Sequence, residues 1–388
     1  MRIFVLGVGA TGSLLAHLLA RQGHQVTCGD KNLERAHRFL GKKSRIPVVR
    51  VNARNLWGIV RAARGAHLIV NASAAVFNEI VLRAALRLRA HYLDLAAHME
   101  RNPFKAEQLR FAERFAKKNR AAVITAGASP GLSNLLVSRA IRAMDSVEAV
   151  YIRLYESTES KDPISQWSAE ASFDEAISRP RVVRAGKFRL EKRFSEPEKF
   201  RFPAPIGEAT VVLAAQDEVS TVPHYVKLRE MDIKIGGNEM NRLRRWYRQG
   251  KLSSSRGLVS SRFPKTPTPR SVAKLIRRGM LQNARFALAV IVRGAKKERP
   301  IEIRSDALFP TLYQIRQRGA ACSPIAYATA HVAALFVKHF PRDLAGVFPP
   351  GAIPVENQTA ILADARARGI FITTKVLRPK PSHDEEEF

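Results

Sequence analysis

Along the first third of the chain, short apolar runs alternate with longer stretches whose apolar residues recur every third or fourth position. The runs at 2–6, 25–28, 47–51, 67–70, 91–95 and 121–125 read as strands. Between them, 13–20, 32–40, 55–64, 77–89 and 103–118 read as helices. Leu56, Ile59, Val60 and Ala63 share one face, and Ile80, Val81, Ala84, Ala85 and Leu88 share another. Regular alternation of this kind predicts an α/β domain built on a doubly wound parallel sheet, the Rossmann arrangement.

The pattern changes at residues 127–134, where Pro130 and Gly131 break the sixth strand and Ser133 can start a helix. Beyond it, strand-like segments at 147–155, 209–215, 231–235, 285–292 and 301–303 outnumber helices. This predicts an α+β domain with a mostly antiparallel sheet. Residues 251–270, rich in Ser, Pro and basic residues, read as an exposed loop, and 325–340 as a tightly packed small-residue helix suited to a subunit interface. The expected division is a dinucleotide-binding domain over 1–126, an α+β substrate and dimerisation domain over 127–344, a return segment over 345–378 packing on the first domain, and a flexible acidic tail over 379–388.

The strongest chemical signal is the first turn. The run at 2–6 leads directly into Gly7-Val8-Gly9-Ala10-Thr11-Gly12, a helix follows, and the second strand ends on Gly29-Asp30. Gly7 permits the tight turn, Gly9 lets the backbone approach a pyrophosphate, and Gly12 lets the helix lie close to the sheet. A helix starting near Thr11 points free N–H groups, with Ala10, at the phosphates. Asp30 can accept hydrogen bonds from the adenosine ribose, which favours NAD because its charge repels a 2′-phosphate. Lys31 beside it softens that preference and leaves NADP open. Asn71, Ala72 and Ser73 close the fourth strand and are candidates for the nicotinamide side of the cofactor; capping of the next helix is the alternative use of Asn and Ser.

Composition narrows the class. At 388 residues and 46% hydrophobic, the chain is long enough for two or three cored domains. No apolar run approaches the length of a membrane span, and the first strand starts at the second residue, which leaves no room for a signal peptide. Cys28 and Cys322 stand far apart and give neither a metal spacing nor a disulfide framework, so a reducing cytoplasm is the expected home and no metal is expected. The net charge is +31, and from 242 to 304 only Glu298 and Glu302 oppose the Lys and Arg residues. Such a surface attracts anions and can hold nucleic acid, but no nucleic-acid-binding motif accompanies it.

With these segments placed, the chain resembles the saccharopine dehydrogenase-like family, most of all lysine 6-dehydrogenase and saccharopine reductase relatives. The likeness rests on the glycine turn, on Val70-Asn71-Ala72 followed by Phe77-Asn78-Glu79-Ile80-Val81, on His91-Tyr92-Leu93-Asp94-Leu95-Ala96-Ala97-His98, and on Ser129-Pro130-Gly131-Leu132-Ser133-Asn134. Gly346-Val347-Phe348-Pro349-Pro350 with Arg368-Gly369-Ile370 resembles the family's closing motif. Two departures stand out: Gly351 replaces the acidic residue that often follows the Pro pair, and 251–270 fits poorly. The resemblance implies a homodimer of two-domain subunits and NAD(P)-linked hydride transfer at a carbon bearing nitrogen, on an amino-acid-derived small molecule. His98, just past a strand end at the crevice, is a candidate proton acceptor that the resemblance supports, an exposed loop histidine being the alternative, and Asp94 would orient it or buttress its loop. A substrate carboxylate wants a basic partner, for which Lys234 is the candidate, with Arg153, His224 and Tyr225 nearby in the pattern. The other readings are a dinucleotide-binding protein without turnover that acts through partners, and a basic protein associated with nucleic acid.

Overall fold

The first domain's alternation is realised as six strands joined through five helices. The structure, a computed structural model, describes residues 1–252 and 263–377. The expected tail at 379–388 and residues 253–262 of the expected loop lie outside the described residues.

The chain runs β1 (Arg2–Leu6), α1 (Ala10–Arg21), β2 (Gln25–Asp30), α2 (Leu33–Leu40), β3 (Val48–Arg50), α3 (Leu56–Ala62), β4 (Leu68–Asn71), α4 (Asn78–Leu88), β5 (His91–Asp94), α5 (Ala112–Ala116) and β6 (Ala121–Val123). Local chemistry starts these helices: the Asn32 side chain accepts from the Arg35 N–H at the head of α2, and Asn55 does the same for Gly58 in α3. The helix expected over 103–118 is shorter. The Asn102 side chain accepts the Phe104 N–H at 2.8 Å, an Asx turn that holds Pro103 outside any helix, and only a 3₁₀ turn at Glu107–Phe111 precedes α5.

Next come α6 (Leu132–Ile141), β7 (Ser146–Ser160), α7 (Ala169–Ile177), β8 (Arg181–Arg184), β9 (Lys187–Leu190), β10 (Glu198–Phe202), β11 (Gly207–Leu213), β12 (Glu230–Gly236) and α8 (Asn238–Arg248). Then follow α9 (Pro269–Arg277), β13 (Leu281–Lys296), β14 (Arg299–Leu308), α10 (Leu312–Gln317), α11 (Pro324–Lys338), β15 (Gly346–Phe348), α12 (Val355–Ala365) and β16 (Phe371–Leu377).

The first sheet has seven strands in the order β15-β6-β5-β4-β1-β2-β3, and every neighbouring pair is parallel. Chain direction across the sheet reverses between β1 and β4, which opens a crevice at the strands' carboxyl ends. The second sheet has nine strands, β10-β11-β12-β7-β13-β14-β16 with β8 and β9 alongside β12; β7 and β12 pair in parallel and the other pairs are antiparallel. Two-residue periodicity gives this sheet two unlike faces. Val150, Ile152, Leu154, Ile233 and Val290 belong to the large buried cluster that continues into β1 and α6. Tyr151, Arg153, Asp232 and Lys234, in register across β7 and β12, point the other way.

Three expectations change. The segment 345–378 divides: β15 joins β6 in the first sheet, but β16 joins β14 in the second. The helix α11 is covered inside its own chain, by α1 and α12 among others, so it presents no free face for a subunit interface. At the ends of the expected loop, Leu252 and Phe263 are buried with Ala176, and α9 starts at Pro269.

Candidate functional site

The first turn is built as the glycines demand. Gly7 sits at φ +96°, and a Cβ there would lie 2.6 Å from the Ser73 N and 2.7 Å from the Ala72 carbonyl carbon. A Cβ on Gly12 would lie 2.0 Å from the Gly7 carbonyl oxygen. These glycines therefore let β1, α1 and the end of β4 meet. Gly9 differs: the nearest group to a Cβ there is the Arg35 guanidinium, 3.7 Å away. Gly9 is the N-cap of α1; no side chain caps this end and no acidic residue stands in its first turn. The N–H groups around Ala10, Thr11 and Gly12 thus face an open cradle at the positive end of a helix, the arrangement a pyrophosphate requires. Ala10 also lines a cavity with Phe39, Gln166, Cys322 and Ser323, where the second domain approaches the turn.

Asp30 ends β2 with 6% exposure. Its Oδ2 accepts from the Val8 N–H at 2.8 Å and its Oδ1 from the Asn32 N–H at 2.9 Å. The carboxylate ties the glycine turn to the start of α2. Lys31 is exposed beside it, and Arg35, which the sequence reading passed over, brings Nη1 to 3.9 Å from Asp30 Oδ2.

At the end of β4, Asn71 is 1% exposed. Its Oδ1 accepts from the Ser73 N–H at 3.1 Å and the Ser73 hydroxyl at 2.5 Å, and its Nδ2 donates to Asn78 Oδ1 at 2.7 Å. Asn78 in turn donates to the Ala96 carbonyl and accepts from the Tyr92 hydroxyl. Asn71 therefore shapes the turn from within, and it is Ala72 and Ser73, half-buried, that lie toward the glycine turn.

Asp94, at the end of β5, is an internal brace. It is 1% exposed; its Oδ1 accepts from the Thr125 N–H at 2.7 Å and its Oδ2 from the Gln108 amide at 3.1 Å. Burial pushes its carboxyl up to about 7, against these hydrogen bonds. The Gln108 carbonyl accepts from the His98 N–H at 3.2 Å, so Asp94 reaches His98 through Gln108 and the backbone. The His98 ring stands between Glu107, 3.4 Å from Nδ1, and Glu100, 3.8 Å from Nε2, and its side chain keeps 17% exposure.

The second domain closes this end of the sheet with carboxylates that no motif announced. Asp217 Oδ2 accepts from the Ala97 N–H at 2.8 Å, on the loop after β5. Glu218 Oε1 accepts from the Ser129 hydroxyl at 2.5 Å, on the loop after β6, and from the Ser133 hydroxyl at 2.7 Å, in the first turn of α6. Glu175 of α7 accepts from the Gln216 amide. Burial raises Asp217, Glu218 and Glu175 above the usual carboxylate range; neighbouring acids add to the effect at Glu218 and Glu175, whereas Arg181 and His98 oppose it at Asp217. Glu156 of β7, half-buried, is pushed up to about 8 by burial and by Glu239. These acids are scattered through a sequence with 65 Lys and Arg against 34 Asp and Glu, and that scarcity was the one signal available.

Lys234 does not join them. Its Nζ lies 3.0 Å from Glu198 and 3.7 Å from Glu196, beside Arg153, which pairs with Asp232 at 2.5 Å and Glu198 at 2.8 Å. Strand parity puts this network on the sheet face turned away from the first domain, so the assignment of Lys234 and Arg153 to the substrate is corrected. His224 and Tyr225 lie on the first-domain side: the His224 ring is 3.0 Å from the Phe104 carbonyl, and a Cβ on Gly351 would strike the Tyr225 hydroxyl. Among the described residues, no cluster of His, Cys, Asp and Glu could hold a metal ion, and no helix is long and apolar enough to cross a membrane.

A glycine cradle on a parallel sheet, roofed by a second mixed sheet, is the arrangement of a two-domain dinucleotide-binding protein. Residues 3–124 match the family model described as the saccharopine dehydrogenase NADP binding domain. Over 97% of this chain and 99% of the other, the fold matches apo saccharopine dehydrogenase (L-Glu forming) from Saccharomyces cerevisiae, with a TM-score of 0.71 at 11% identity. Residues 3–124 are thus similar to that family's dinucleotide-binding domain, and the likeness in fold extends over the whole chain. A probable dehydrogenase from Thermotoga maritima (12% identity, 93% of this chain and 94% of that one, TM-score 0.42) and GenD2 from gentamicin A biosynthesis in complex with NAD (10% identity, 98% and 96%, TM-score 0.39) match more loosely.

Proposed function

We propose that this oxidoreductase transfers a hydride between a nicotinamide dinucleotide and a carbon bearing nitrogen, on an amino-acid-derived substrate. The observation that carries this reading is the set of carboxyl groups, Glu156, Glu175, Asp217 and Glu218, gathered where the second domain meets the loops after β5 and β6. Burial holds these carboxyls toward their neutral form, and an arriving ammonium group would be matched by their ionisation, whereas an anion would meet no such partner. The residues present fit the cofactor: the open cradle at Gly9 takes the pyrophosphate, and the bound dinucleotide supplies the hydride acceptor. Oxidising an amine also removes a proton from nitrogen. His98, partly exposed between Glu100 and Glu107, is the acceptor in this reading, held in place by the brace from Asp94 through Gln108.

The test is a turnover panel run with NAD and NADP: amino acids and diamines in the oxidative direction, and oxo acids with amines in the reductive one. Reduction of dinucleotide by amine-bearing compounds, with none by the matching alcohols, is the expected result. Tight dinucleotide binding with no turnover on any amine would instead support a binding protein that acts through partners.

A further inference from the structure

An amino-acid substrate brings a carboxylate as well as an ammonium group, and the acids at the crevice give that carboxylate nothing to bind. With Lys234 and Arg153 on the far sheet face, a different cation must receive it, and β8 supplies one. Val183 pairs with Met231 of β12, and both belong to the buried cluster that continues into β1 and α6. Arg181, two residues earlier on the same strand, therefore points to the first-domain side. Arg184, of opposite parity, lies in the far-face network, paired with Glu196 and Asp232.

The hairpin of β8 and β9 rests against the loop that carries His98. Phe188 of β9, opposite Val183, stacks on Phe104 with ring centroids 5.1 Å apart and on His224 at 6.2 Å. Asp217, which holds the Ala97 N–H on that loop, stands near both cations: burial raises its carboxyl, and the charges of Arg181 and His98 oppose the rise. Arg181, half-buried, has no fixed partner of its own. Its Nε is buried without a hydrogen bond, and among the described residues no carboxylate stands within ion-pair distance of it. Other half-buried arginines of this domain are engaged, Arg242 with Glu239, Arg285 with Glu159, and Arg193 over the Tyr247 ring at 5.4 Å. Burial disfavours the Arg181 charge and Asp217 offsets only part of that cost, so a ligand anion would complete the arrangement. A guanidinium's planar fork matches a carboxylate in shape as well as charge.

We infer that Arg181 receives the substrate's carboxylate, and that this contact makes the protein select amino acids over simple amines of the same skeleton. This rests on the proposed turnover at a carbon bearing nitrogen, and the experiment separates the two claims. Values of kcat/KM are measured with the full-length protein and with Arg181→Ala and Arg181→Lys. The substrates are each amino acid active in the panel, the amine lacking its carboxyl group, and its carboxamide. Wild type is expected to prefer the amino acid about tenfold to a hundredfold over both, the range of a charge-assisted fork. Arg181→Ala should remove most of that preference by raising KM for the amino acid, with kcat/KM for the amine moving less than about threefold, and Arg181→Lys should restore part of it. Fluorescence titrations with NADPH and NADH should stay within about twofold of wild type in both variants, as expected of a contact made to substrate alone. If Arg181→Ala does not fold, Arg181→Gln carries the same comparison. Equal kcat/KM of wild type for amino acid, amine and carboxamide would overturn the inference. So would an Arg181→Ala variant that lowers amino acid and amine alike, since that marks a purely structural arginine. Dinucleotide binding with no turnover of any amino acid or amine would overturn the proposed function itself.

Discussion

Replacing Gly12 by alanine tests whether the first turn is a ligand cradle. The added methyl would sit 2.0 Å from the Gly7 carbonyl oxygen, where a carbon–oxygen contact needs at least ~3 Å, so one backbone must move by about 1 Å. Gly7 has little room to yield: its N–H donates to the Gly29 carbonyl at 2.8 Å, and its own α-carbon faces Ala72 and Ser73. The strain corresponds to an overpacked core, about 1–3 kcal/mol. A shift of about 1 Å in the N–H groups at the head of α1 should weaken dinucleotide binding by about a hundredfold. Gly23→Ala is the control, because Gly23 has φ +80° but nothing within 4 Å of a Cβ. It should cost about 1 kcal/mol from the left-handed backbone alone and leave affinity within about twofold. Melting curves and fluorescence titrations with NADPH and NADH on both variants give the comparison. If Gly12→Ala kept wild-type affinity, the turn would be a packing device and the cradle assignment would fail.

Two further perturbations examine the braces around the site. Asp94 holds a proton to about pH 7 in the folded chain but releases it near pH 4 when unfolded, so its own contribution to folded stability is greatest at low pH and falls as pH rises through that window, by up to ~1.4 kcal/mol per pH unit. Asp94→Asn should flatten the part of a stability-against-pH curve between about pH 4 and pH 7 that Asp94 supplies; an unchanged slope would show that the buried acid does not titrate as described. Lys234→Met, which removes the partner of Glu198 and Glu196 on the far sheet face, should lower stability by about 1–3 kcal/mol and leave dinucleotide affinity within about twofold. Lost affinity in a folded variant would place Lys234 on the wrong face.

The parallel sheet was legible in the sequence because its central strands β1, β4, β5 and β6 are buried on both faces and read as continuous apolar runs between amphipathic helices. The glycine turn was legible because each glycine answers a backbone requirement within one β–α–β unit. Pro103 misled because a proline can start a helix or sit in an Asx turn, and the choice depended on the neighbouring Asn102 side chain. Lys234 misled for a different reason: strand parity fixes which residues share a face, but only the assembled sheet decides which face meets the first domain. The acids at the crevice come from β7, α7 and the turn after β11, and separations of that kind leave no local pattern. Arg35 lay five residues past Asp30 on a predicted helix, where an arginine is ordinary until the helix is set beside Gly9.

The central claim is that a dinucleotide in this cradle takes its hydride from a carbon bearing nitrogen. The most direct measurement is label transfer. Substrates found active in the panel are deuterated at that carbon and incubated with oxidised dinucleotide, and the reduced dinucleotide is examined by mass spectrometry. Deuterium recovered on the nicotinamide ring, together with a slower rate for the labelled substrate, is the predicted result. Reduced dinucleotide without the label, or label transferred only from carbons bearing oxygen, would contradict it.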